Sequence, residues 1–163
     1  MERTLSITKL EKELAAVAIS IAAGCRPCTD FHVKAVREAG ASEAEIRKAV
    51  EDAAALRAAA AGVMRAYGLA HLGDTEVEPP APVPAGRQAV LAGLGAAFAV
   101  NCTASLERYI AAAGSAGVGV QEVVEVANLA RFIKGKAASH VDRRIEVLAK
   151  DAANQPAEAC CGA

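Results

Sequence analysis

The stretch Leu10-Glu11-Lys12-Glu13-Leu14-Ala15-Ala16-Val17-Ala18-Ile19-Ser20-Ile21-Ala22-Ala23-Gly24-Cys25-Arg26-Pro27-Cys28-Thr29-Asp30-Phe31-His32 decides the fold. Leu10, Leu14, Val17 and Ile21 recur at steps of four, three and four, which places them on one face of a helix that stops near Gly24. A second helix starts at once. Pro27 suits a first helical turn because it has no amide to leave unpaired, and Phe31, Val36 and Ala39 carry the pattern to a stop at Gly40. Ser42 then reads as an N-cap, with Glu45 three residues later completing a capping box. The long helix it opens sets Ile46, Val50, Ala53, Leu56, Ala60, Val63 and Tyr67 on one stripe. No convincing period-two strand interrupts this pattern, so the expected class is all-α.

Working outward, Thr75 to Gly86 contains Pro79, Pro80, Pro82 and Pro84 and reads as an extended connector. Beyond it three more apolar stripes follow: Leu91, Leu94 and Phe98; Leu106, Tyr109 and Ile110; and Val123, Val126, Ala130, Ile133, Ala137 and Val141. The same three-helix order therefore occurs twice. Sliding the chain by the 77 positions that separate Cys25 from Cys102 pairs Leu14 with Leu91, Gly40 with Gly117, Glu45 with Glu122, Ile46 with Val123 and Leu56 with Ile133. Alanine matches are inflated by composition, so the weight rests on these other pairs. The expected organisation is a single domain over 1–163. It holds an active repeat at 1–74, the connector at 75–86, a degenerate repeat at 87–150 and a flexible tail at 151–163.

Composition narrows the function. The chain has 163 residues, 53% of them apolar but only 3% aromatic and none of them Trp, and alanine supplies most of the apolar count, as close-packed helices require. A formal net charge of −1, with both signs interspersed, offers no basic stripe for nucleic acid. The longest apolar run, Val90 to Val100, is too short to span a bilayer, and Met1-Glu2-Arg3-Thr4 lacks the pattern of a signal peptide. The expectation is a cytoplasmic protein with neither nucleic acid nor membrane as partner. Five cysteines in a reducing compartment point to catalysis or metal binding rather than to structural bridges.

Cys25 and Cys28, separated by two residues at a helix start, can close a disulfide with little backbone movement, and the helix N-terminus stabilises a thiolate there. The Pro27 between them resembles the turn of thioredoxin-like proteins, but those sit on a sheet, and that fold is rejected. His32 lies four residues after Cys28 and seven after Cys25, on the same helical face, where an imidazole can take a thiol proton. Glu13, one helix earlier, can orient that imidazole if the first two helices pack antiparallel. Under the 77-residue shift Cys28 meets Ser105, His32 meets Tyr109 and Glu13 meets Val90, so the second half lacks the site.

Other readings stay open. Cys25 and Cys28 can be half of a structural zinc site, which needs four ligands. Cys102 reads as a small buried hydrophobe, His71 as a helix C-terminal cation, and His140 as a surface or packing residue. Neither histidine reads as a ligand, and no metal or cofactor site is assigned. Cys160 and Cys161 offer three readings: a shuttle of electrons to the Cys25/Cys28 pair and, favoured over it, a soft-metal or metalloid site or an incidental pair of exposed thiols.

Taken together, Glu13, Cys25-Arg26-Pro27-Cys28, His32, the Ala39-Gly40-Ala41-Ser42 turn and the Glu45-Ile46 helix start resemble the signature of the alkyl hydroperoxidase D-like, or carboxymuconolactone decarboxylase, family. In the second half, Gln121-Glu122-Val123 and Ala130-Arg131-Phe132-Ile133-Lys134-Gly135 resemble its last helix. The resemblance implies an all-α fold built from two similar helical repeats, and it implies catalytic roles for Glu13, Cys25, Cys28 and His32. It further implies a thiol-dependent peroxidase or disulfide oxidoreductase cycling between dithiol and disulfide, acting on a small-molecule peroxide or disulfide. Electrons would come from a dithiol or protein donor, and the assembly would be a homo-oligomer. Cys28, nearer to His32, is expected to attack and Cys25 to resolve. The competing reading is a soft-metal or metalloid-binding protein using Cys25, Cys28, Cys160 and Cys161; a non-catalytic oligomeric scaffold is the third.

Overall fold

The computed structural model describes residues 7–154. Six helices follow one another, with no strand among the described residues: α1 (Lys9–Ala23), α2 (Arg26–Glu38), α3 (Glu43–Ala70), α4 (Arg87–Ala99), α5 (Thr103–Ala113) and α6 (Val120–Asn154). The starts come from local chemistry. Thr8 and Glu11 form a reciprocal capping box on α1, and Ser42 and Glu45 form the one expected on α3. Gly24 ends α1 in the left-handed conformation at φ 70°, where an L side chain is strained.

The 77-residue shift reappears in the backbone. It carries the start of α2 onto that of α5 and the start of α3 onto that of α6. It also carries left-handed Gly24 onto left-handed Asn101, and Gly40 onto Gly117, both at positive φ. Cys102 caps α5 with φ −89° and ψ 96°, close to the −100° and 97° of Cys25 at the head of α2. The Ser105 hydroxyl beyond it is buried with no hydrogen-bond partner. Since the turn is already shaped for a Cys-x-x-Cys bridge, Ser105→Cys is expected to close a second disulfide with Cys102 on mild oxidation. Mass mapping that finds both thiols still open to alkylation would refute this.

α1 and α4 form the centre and make the most extensive helix pair in the molecule. α4 is buried from Val90 to Ala97, and α1 from Leu14 to Ser20, on all sides rather than along one stripe. Small residues allow the approach: a Cβ on Gly95 would lie 2.6 Å from Ile19, and one on Gly93 only 1.9 Å from the Tyr109 ring. In the other half the positions matching Gly93 and Tyr109 are Ala16 and the smaller His32. The larger ring thus requires the smaller neighbour, and Tyr109, 2% exposed, fills the core. Burial first, then the Asp52 carboxylate, pushes its phenol up to about 12.

Arg87, at the first position of α4, joins the two halves. Its Nε donates to Glu11 on α1 at 2.6 Å, and its two terminal nitrogens donate to Glu122 on α6 and to the Gly117 carbonyl. Glu122 is 1% exposed and also accepts the Gly119 amide at 2.8 Å. Burial pushes Glu11 up, but the Thr8 amide, Arg87 and the Thr8 hydroxyl outweigh it and hold the carboxyl below the ordinary range. Arg87 is the main cause of the same downward shift at Glu122, against the opposing effect of burial.

Several stripe ends depart from the expected pattern. Tyr67 (63%), Ile110 (48%) and Val141 (64%) are exposed. α6 continues to Asn154, so Asp151–Asn154 is helical rather than part of a flexible tail; nothing in the sequence before Pro156 breaks the helix. Cys160 and Cys161 lie outside the described residues. Among the described residues no helix is long and apolar enough to cross a membrane.

Candidate active site

The turn between α1 and α2 builds the site. The Cys25 amide donates to Ser20 O at 3.0 Å, and Arg57 on α3 donates to the Ile21 and Ala22 carbonyls at 3.1 and 3.2 Å, so the end of α1 is tied down from both sides. Cys25 is the N-cap of α2 and is disulfide-bonded to Cys28, with Cα atoms 5.3 Å apart. Its Sγ accepts the Cys28 amide at 3.2 Å, in the position where a Ser or Asp oxygen would normally cap the helix. That contact and the helix terminus both favour negative charge on Cys25 sulfur once the bridge is open.

Glu13 and His32 meet as the antiparallel packing of α1 and α2 requires. His32 Nδ1 lies 3.0 Å from Glu13 Oε2, both side chains being largely buried. A carboxylate only accepts, so Nδ1 donates its proton to Glu13 in this contact. Phe31, two-thirds exposed, sets its ring edge-on to His32 with centroids 5.0 Å apart.

The imidazole that stands with both sulfurs, however, is His140 of α6. Its ring nitrogen and the two Sγ atoms all lie within 4.8 Å of one another, a cluster His32 does not join. The sequence reading gave His140 as a surface or packing residue; it is half-buried and packs beside the two sulfurs. The signal was present: Val126, Ala130, Ile133 and Ala137 step by four, three and four, and a further step of three reaches His140, whereas the stripe was continued to Val141. His71 stands at the C-cap of α3, as its position suggested, and Cys102 is half-buried with a free thiol.

Two cavities matter. One of about 380 Å³ is lined by Ser20, Ile21, Gly24, Cys25, Arg26, Thr29 and Asp30. The other, about 400 Å³, lies between Glu11, Lys48, Asp52, Arg87 and Gln88, away from the cysteines.

The carboxymuconolactone decarboxylase family profile matches residues 5–71, which hold α1 to α3 and all four of Glu13, Cys25, Cys28 and His32. This segment is similar to that family. Alkyl hydroperoxide reductase AhpD of Gluconacetobacter diazotrophicus is 41% identical to the chain over 68 residues, 42% of this chain and 36% of that protein. The chain thus spans little more than a third of the curated relative it matches. No solved structure matches it. The matched segment holds both the Cys-x-x-Cys bridge and the Glu13–His32 pair.

Proposed function

We propose that the chain is a thiol-dependent peroxidase or disulfide oxidoreductase that cycles between the Cys25/Cys28 dithiol and its disulfide. The observation that carries this reading is the Cys25–Cys28 bridge at the head of α2, with the Cys28 amide on Cys25 sulfur. The similarity to an alkyl hydroperoxide reductase supports the peroxidase form.

In the peroxidase form, His32 takes the Cys28 proton, and Glu13 acts as a positioning residue that holds the ring and balances its charge. Cys28 thiolate attacks the peroxide oxygen; the O–O bond breaks, Cys28 becomes a sulfenic acid, and the alkoxide leaves as alcohol after taking a proton. Cys25 thiolate then attacks that sulfur, the S–S bond forms and water leaves. A dithiol or protein donor returns two electrons and two protons. In the reductase form a substrate disulfide replaces the peroxide and leaves as two thiols. The second repeat serves as a structural partner, and the setting is a reducing one such as the cytoplasm.

The reduced protein, supplied with a dithiol, should consume an organic hydroperoxide or reduce a small disulfide with multiple turnovers. Turnover that survives in the Cys25→Ser/Cys28→Ser chain would reject the reading.

A homo-oligomer is part of the same proposal. Val141, Ile145 and Leu148 follow one another at steps of four and three along α6, and all are more than 60% exposed. Ile145→Glu is expected to shift the sedimentation profile toward the monomer. A wild-type chain already monomeric at micromolar concentration would end this part.

A further inference from the structure

We propose that Cys25, Cys28 and His140, once the disulfide is reduced, form a binding site for Zn²⁺ at the junction of the two repeats. The inference goes beyond the dithiol cycle and does not need it, because the ligands can be reduced chemically. Three observations point the same way. The two sulfurs and the His140 ring nitrogen lie within 4.8 Å of one another although they come from helices in opposite halves. Both cysteines are buried, at 5% and 8% exposure, so two thiolates there are costly unless a cation neutralises them. The Cys28 amide already donates to Cys25 sulfur, lowering the cost of the thiolate form.

The donor set selects the ion. Two thiolates and an imidazole suit borderline-soft Zn²⁺ and disfavour Mg²⁺ or Ca²⁺, which take oxygen ligands. The charge of two thiolates and one Zn²⁺ cancels, leaving a neutral centre in a low-dielectric position. Three protein ligands leave the fourth tetrahedral position for water or a small molecule. Binding and the disulfide exclude each other. A trialkylphosphine and water open the bridge, giving two thiols and the phosphine oxide; Zn²⁺ then displaces the two thiol protons. An added hydroperoxide takes two electrons from the thiolates and, with two protons, leaves as alcohol and water; the S–S bond re-forms and the ion is released.

The test uses the full chain, phosphine-reduced and metal-free, titrated with Zn²⁺ against a chromophoric chelator and with Co²⁺ for thiolate-to-metal absorption. One ion per chain is expected in the reduced form and none in the oxidised form. His140→Ala should weaken Zn²⁺ binding by on the order of 100-fold, at least as much as loss of a supporting group usually does. His140→Cys should recover most of it, which separates lost coordination from lost packing. Cys160→Ser/Cys161→Ser should bind within a few-fold of the wild type. Unchanged affinity in His140→Ala overturns the proposal, as does loss of binding in the tail variant. Peroxide or disulfide turnover, measured in parallel, fails or holds independently of these outcomes.

Discussion

Arg87→Met is expected to lower the unfolding free energy by about 3 kcal/mol, the lower end of the cost of breaking a buried ion pair. The lower end applies because the Arg87 side chain retains 28% exposure, so water already screens part of the interaction. The loss arises at its partners: Glu122, 1% exposed, and Glu11, 9% exposed, keep their amide contacts but lose the cation that neutralised them. Adding Glu122→Gln should restore part of the stability by removing one uncompensated charge. The pH profile gives an independent check. Folding holds both carboxyls below their ordinary value of 4.5, so their contribution is complete above that pH and is lost as pH falls through their lower folded values. The wild type should therefore lose stability steeply below pH 4.5, and the variant should show a flatter slope. Urea melts that give the same midpoint and the same acid slope for both proteins would contradict this account.

The second large effect concerns His32. His32→Ala is expected to slow oxidation of the reduced dithiol by about 100-fold near neutral pH, the lower range for a positioned general base. Glu13→Gln, which leaves the ring but removes the carboxylate 3.0 Å from Nδ1, should cost less. Trapping distinguishes the sulfurs: Cys25→Ser should accumulate a sulfenic acid at Cys28, while Cys28→Ser should react slowly. Labelling of Cys25 in Cys28→Ser, with an inert Cys25→Ser, would reverse their roles and assign the amide-stabilised sulfur as the attacking one. An unchanged rate in His32→Ala would leave the helix terminus and His140 as the groups acting on the thiols.

Much of this was legible in the chain because local chemistry is written in short spacings. The Ser42/Glu45 box, the stops at Gly24 and Gly40 and the four prolines of 75–86 set helix limits through contacts within a few residues. The Glu13–His32 contact was legible once α1 and α2 were taken as antiparallel. What failed to show was whatever depends on small residues or on distance along the chain. Periodicity of large side chains finds one face, yet α1 and α4 bury the faces made of alanine and glycine as well, and those give no amphipathic signal. Arg87 reaches partners 76 and 35 residues away, so no local motif announces it, and the periodicity of α6 puts His140 on the packed face without naming the cysteines it meets.

The pairing of α1 with α4 has a practical meaning for protein construction. Each half contributes one of these central helices, and the covalent link between the halves is an extended segment, mostly exposed from His71 to Pro79, rather than part of the core. A molecule organised this way can be divided in the linker into two separately expressed fragments, each supplying the surface that shields the other. Redox chemistry and reassembly could then be read in the same tube, one fragment carrying the dithiol and the other, through α6, the histidine beside it.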